Sequence, residues 1–152
     1  MATKKMAIIA TKGALDMAYP PLILASTAAA LGWEVQIFFT FYGLQLLRKD
    51  LDGIAISPLA NPAMPMPVPM PVIVSVLPGM EAMATMMMKD KMKKKGVASL
   101  EELRSLCLEA DVKFIACQMT VDLFEFQTSE FIDGIEYGGA ATFMKFAGET
   151  DV

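Results

Sequence analysis

Cys117 closes the apolar run VKFIAC and is followed at once by Gln118, Met119 and Thr120. A thiol at the carboxyl end of a strand, just before a helix start, would meet backbone N–H groups and the positive end of a helix dipole. Both favour thiolate over thiol. A thiolate attacks sulfane sulfur or disulfides, and it can hold an extra sulfur as a persulfide. The competing reading is a packed structural cysteine, because free cysteine is among the most buried residue types. Position alone leaves the two open. Cys107 lies in LEELRSLCLEAD, where Leu100, Leu103, Leu106 and Cys107 share a face at helical spacing. That face should look inward, so Cys107 reads as a packed thiol. A disulfide between the two would need Cβ atoms within about 4.5 Å, which the sequence does not fix.

Other chemistry is weakly signalled. The chain has two cysteines and no histidine. A Ser-His-Asp triad, a Cys-His pair, a His-ligated metal site and a four-cysteine zinc site are therefore excluded. The first strand-to-helix turn, TKGALD, lacks both glycine-rich phosphate signatures. No cofactor and no metal are expected. Asp16, Asp122 and Glu136 could each serve a site near the strand ends, but a capping or surface carboxylate is the commoner role. Tyr137-Gly138-Gly139 could line a pocket or make a turn, and a turn is the expectation. The pocket expected around Cys117 draws on Gln118, Met119 and Thr120, with Gly13, Asp16 and Tyr137 from neighbouring strand ends.

Elements that would position these residues alternate along the chain. Met6 to Ala10 reads as a first strand buried on both faces. Gly13 to Gly32 reads as a helix stopped by glycine, its start bent or delayed by Pro20 and Pro21. Glu34 to Thr40 gives a second strand, Tyr42 to Lys49 a short helix, and Gly53 to Ser57 (GIAIS) a third strand. Glu81 to Lys95 is a methionine-rich helix, its closing lysines suited to the dipole and Gly96 to the cap. Ser99 and Glu102 form a capping box that opens a helix to about Ala110. A fourth strand covers Val112 to Cys117, and Thr120 can cap a short helix from Val121. Asp133 to Tyr137 offers a fifth strand or a turn, and Ala140 to Ala147 a last helix. This order predicts one α/β domain over residues 1–152: an open, mainly parallel five-stranded sheet with helices on both faces.

One segment breaks the pattern. Gly53 to Met80 carries no charge, and within it NPAMPMPVPMPVIVSVLPGM has prolines at 62, 65, 67, 69, 71 and 78. Alternate prolines cannot continue a helix, and lipid demands an internally satisfied backbone, so a transmembrane helix is not the expectation. An extended apolar arm over about 58–80, packed on protein, is. Hydrophobic residues make up 55% of the chain and charged ones 20%, more apolar than a typical soluble domain. Homo-oligomeric association through residues 61–88 is therefore expected. A net charge of −4 gives no reason to expect nucleic acid. The short apolar run after Lys4 and Lys5 reads as a strand and not as a signal peptide, so a cytoplasmic location is expected.

The stretch ELRSLCLEADV followed by KFIACQMTVDLF resembles the DsrE/DsrF-like sulfur-trafficking family, in its peroxiredoxin-like or DsrE-like branch. TKGALDMAYPPLILASTAAALG, VQIFFTFYGLQLL, MPMPVPMP, LPGMEAMATMMM and DGIEYGGAATFM extend the resemblance over nearly the whole chain. The resemblance implies the DsrEFH-like, flavodoxin-like three-layer fold, persulfide chemistry and a homo-oligomer. It assigns Cys117 as the sulfur-accepting thiol and gives Cys107 a secondary role. It also implies TusA-like or rhodanese-like partners, and it leaves membrane association of the Pro/Met segment in question.

The expected function is a sulfur carrier or sulfurtransferase holding sulfane sulfur on Cys117. Two alternatives stand beside it. One is a thiol-disulfide or peroxide-reducing enzyme that pairs Cys117 with Cys107. The other is a non-enzymatic oligomeric binding module with packed thiols.

Overall fold

The computed structural model describes residues 2–57 and 71–152. In chain order it holds β1 (Lys5–Ala10), α1 (Leu15–Ala30), β2 (Glu34–Phe39) and a 3₁₀ turn (Phe41–Leu47). Then come α2 (Val72–Ser75), α3 (Met80–Lys94), α4 (Leu100–Glu109), β3 (Lys113–Cys117), α5 (Gln118–Leu123), β4 (Glu136–Gly138) and α6 (Ala140–Ala147). Of the expected 58–80 arm, positions 58–70 lie outside the described residues. Beyond them the chain is not extended: Val72–Ser75 make a helical turn before α3.

Among the described residues there is one sheet of four strands, in the order β1-β2-β3-β4 and parallel throughout. Strands placed side by side in sequence order need crossovers of one hand, which lay their helices on one face. α1 and α4 accordingly pack together there, over Ile37, Phe39, Phe114 and Ala116. α6 follows the last strand and covers the opposite face, where Phe143 stacks on Phe38 at 5.0 Å beside Ile115 and Cys117. The tail then returns to the open edge of β1. The Val152 amide donates to the Lys5 carbonyl, and the Val152 carbonyl accepts from the Ala7 amide, which is one further parallel rung.

Several expectations change. The sheet has four strands among the described residues, not five, because GIAIS is not a strand. Ile54 and Ile56 are buried as strand residues would be. Their backbone, however, is held by other groups. The Leu15 amide donates to the Ala55 carbonyl, Ile56 donates to the Thr85 hydroxyl at 3.1 Å, and Ser57 donates to the Asp16 carboxylate at 2.8 Å. β1 is an edge strand, and Ile9 is exposed on it. α1 begins at Leu15, and both prolines lie inside it. α5 starts directly after β3 with Cys117 as its N-cap, so Thr120 lies within the helix and does not cap it. Tyr137 and Gly138 belong to β4 and not to a turn.

The capping box opens α4 as expected, with both reciprocal hydrogen bonds present. Its inward stripe is Leu100, Leu103, Arg104 and Cys107, while Leu106 faces out. Met88 and Met92 of α3 pack on the core, whereas Met83, Met86 and Met87 are exposed. Among the described residues no helix is long and apolar enough to cross a membrane.

Candidate functional site

Cys117 ends a central strand, so its two strand neighbours define its surroundings. On β2 the register pairs Phe39 with Ala116, which sets Thr40, the next residue, beside Cys117. On β4 the partner is Gly138, which places no side chain there, and Gly139 after it faces open space. Strand alternation turns Cys117 toward α6, with Ile115, Phe38 and Phe143 packed around it. The residue is 4% exposed, so the sulfur sits just under the rim.

Burial alone would hold a thiol protonated. Here it is outweighed. Hydrogen-bonding groups of Thr120 (hydroxyl and amide), Thr40 (hydroxyl) and Met119 (amide) lower the thiol below the ordinary cysteine value. α5 has only six residues, so these individual groups, and not a helix dipole, provide the stabilisation. Thr120 is fully buried, and its oxygen lies 3.2 Å from that of Thr40. The Phe41 amide also donates to the Thr120 oxygen at 3.3 Å. Phe41 itself adopts φ +49°, a left-handed conformation that is strained for a bulky side chain.

The rim above this cluster is apolar and exposed. Tyr42 stacks on Phe124 at 6.0 Å, and Phe41 meets the same ring edge-on at 6.1 Å. Met119 and Leu123 of α5 extend the surface.

Cys107 is elsewhere. It is wholly buried between α1 and α4, on the opposite face of the sheet from Cys117. Its thiol donates to the Leu22 carbonyl at 3.4 Å. Burial pushes it up to about 11, against a weaker opposing contact with the Ser26 backbone. Both cysteines are free.

Of the other expected pocket residues, Met119 and Thr120 flank the thiol. Gln118 is exposed and ties to Asp122 at 2.8 Å. Gly13 lies against the 3₁₀ turn, where a Cβ would come within 2.5 Å of the Tyr42 carbonyl. Asp16 holds Ser57. Tyr137 is paired with Ala116, and its ring lies 6.4 Å from Phe131, away from the α6 face that Cys117 occupies. Glu136 starts β4 opposite Ile115. Thr40 and Phe41 were not among the expected residues. Their one sequence signal is that EVQIFFT and VKFIACQMT are both apolar strands that end on polar groups. Among the described residues, the clefts lie apart from the thiol. Gln45, Arg48, Ser57 and Glu81 line one of them; Tyr19, Lys89 and Lys93 line another.

Comparison with known proteins places these features in a lineage. The family model described as DsrE/DsrF/DrsH-like matches residues 2–152. A protein of Allochromatium vinosum named sulfur carrier protein DsrE2 is 67% identical over 156 residues, spanning 100% of this chain and 98% of that protein. The uncharacterized protein YrkE of Bacillus subtilis is 33% identical over 154 residues, spanning 99% of this chain and 95% of its own length.

Proposed function

This chain belongs to the DsrE/DsrF/DrsH-like family, and from that premise we propose that it is a sulfur carrier whose Cys117 holds sulfane sulfur as a persulfide. The observation that carries the reading is the place of Cys117 at the carboxyl end of a central strand and at the start of α5, beside the Thr40 and Thr120 hydroxyls, where hydrogen-bonding groups lower its pKa. In loading, the Cys117 thiolate attacks the outer sulfur of a donor persulfide. A new S–S bond forms, the donor's S–S bond breaks, and the donor leaves as a thiolate that takes up a proton. In unloading, an acceptor thiolate attacks the outer sulfur and Cys117 departs. There is no net oxidation in either step. A thiol of lowered pKa leaves faster, and that favours unloading.

The 67% identical relative is named a sulfur carrier, which supports a place in a sulfur relay. TusA-like or rhodanese-like proteins are the expected donors and acceptors, and the expected location is cytoplasmic. The paired-cysteine alternative fits less well, because the sheet stands between the two thiols. For association of copies, the exposed Val72, Ile73, Val76 and Leu77 next to Met83, Met86 and Met87 give an apolar surface.

The test is transfer. Protein loaded with polysulfide and freed of excess should return to its unmodified mass when mixed with a TusA-like carrier, while the carrier gains one sulfur, about 32 Da. Loaded protein that keeps its sulfur in the presence of every thiol acceptor offered would contradict the carrier role.

A further inference from the structure

We infer that Gly138 and Gly139 leave, on the β4 side of Cys117, the space that receives the outer sulfur of the persulfide. The inference rests on the reading of Cys117 as the sulfur-bearing thiol, and it says where the added atom goes.

A persulfide sets its outer sulfur about 2 Å beyond the first. Cys117 is 4% exposed, so that atom needs room within the rim. Most neighbours of the thiol deny it. Phe38, Ile115 and Phe143 pack with Cys117 in one cluster. On the β2 side stands Thr40, next after the Phe39 that pairs with Ala116. Thr120, fully buried, has its oxygen 3.2 Å from that of Thr40. The β4 side is different. There the partner of Cys117 is Gly138, on a strand about 4.8 Å away. A Cβ at Gly138 would touch Ile115 and Thr142 at 3.4 Å, so position 138 faces α6 as Cys117 does. A longer side chain there would stand beside the sulfur. A Cβ at Gly139 would meet nothing within 4 Å.

Local structure requires neither glycine. Gly138 is extended within β4, and Gly139 has φ −91° and ψ 176°, which any residue adopts. Contacts of 3.4 Å leave room for a methyl at 138. Gly139 is the N-cap of α6 and makes no side-chain capping bond, where serine or aspartate would cap better. Glycine weakens a strand, and it marks places where a ligand or another backbone comes close. The atoms nearest to a Cβ at 138 all belong to side chains, so no other backbone explains the gap. An atom bonded to the Cys117 sulfur does.

The test uses methyl methanethiosulfonate, which builds a disulfide on Cys117 without any sulfur-carrying protein. The Cys117 thiolate attacks the sulfenyl sulfur and an S–S bond forms. The bond to the sulfonyl group breaks, and methanesulfinate leaves with the electron pair. The new sulfur stands where the outer persulfide sulfur would. Labelling rates at Cys117, located by peptide mapping, are followed against pH in wild type, Gly138→Ala and Gly139→Val. Gly138→Ala should lower the plateau rate roughly tenfold, the size of effect that one added methyl has in a filled space, and leave the pH midpoint unchanged. Gly139→Val should lower the plateau too. A wild-type plateau in either variant, or slowing that comes only from a shifted midpoint, overturns the inference. If Gly138→Ala lacks the folded circular dichroism spectrum, Gly139→Val decides by the same criteria. Variants slowed as expected, in a protein that takes up no sulfur from polysulfide, would refute the carrier reading and leave the space at the two glycines standing. Polysulfide loading of wild type beside an unslowed Gly138→Ala would do the reverse.

Discussion

The Thr40 and Thr120 oxygens lie 3.2 Å apart although 80 residues separate them in the chain. Parallel pairing of β2 with β3 brings them together, because it sets the ends of the two strands side by side. The thiol chemistry therefore depends on how firmly the turn after β2 is held, and two contacts far from the sulfur hold it.

The first is Arg104 of α4. Its guanidinium is buried and donates to the Leu46 carbonyl at 2.9 Å and the Arg48 carbonyl at 2.6 Å, closing the end of the 3₁₀ turn. Burial lowers its pKa, with Glu101 opposing. Arg104→Leu keeps much of the volume but leaves two carbonyls without their donor. It should lose about 2–4 kcal/mol in denaturant unfolding. Arg104→Lys should recover part of this, because both bonds come from the single nitrogen Nη1 and an ammonium on a shorter stem replaces it incompletely.

The second is Gly43. A Cβ there would lie 2.0 Å from the Ala10 carbonyl oxygen and 2.7 Å from its carbon. Backbone cannot yield as a side chain can, so Gly43→Ala must push the turn away from β1. It should cost at least about 2 kcal/mol and raise the labelling midpoint of Cys117 as Thr40 is displaced. Thermal melts and labelling profiles of the same sample check both.

Much of this architecture was legible in the sequence. The capping box of Ser99 and Glu102 opens its helix, and the runs ending at Ala10, Phe39 and Cys117 are strands. Local hydrogen bonding and apolar continuity suffice for those. GIAIS misleads because burial of Ile54 and Ile56 imitates a strand, while the partners of its backbone, Asp16 and Thr85, are distant in sequence. Arg104 escaped the inward stripe because a charged residue scores as outward, and only the turn's waiting carbonyls explain its burial. The thiol's position could be read, but three of its four hydrogen-bonding groups could be assigned only once α5 was seen to start at Cys117, and the fourth, Thr40, only from the pairing of the strands.

The two thiols should move stability with pH in opposite directions. Cys107 is pushed up to about 11, so above the ordinary cysteine value of about 8.5 the unfolded chain releases this proton and the folded one keeps it. Its stabilisation is complete below that value and is lost as pH rises toward 11. Cys117 is lowered, so its contribution is present above the ordinary value and is lost as pH falls through the folded one. Unfolding free energies of wild type and Cys107→Ala should therefore converge between about pH 9 and 11, by roughly 2 kcal/mol. A constant gap across that range would mean that Cys107 ionises freely in the fold.

The most direct measurement is mass spectrometry after polysulfide treatment of wild type, Cys107→Ala and Cys117→Ser. Wild type and Cys107→Ala should each gain one sulfur, about 32 Da, on the peptide bearing Cys117, and Cys117→Ser should gain none. Sulfur loaded on Cys107, or Cys117→Ser loading as well as wild type, would contradict the account.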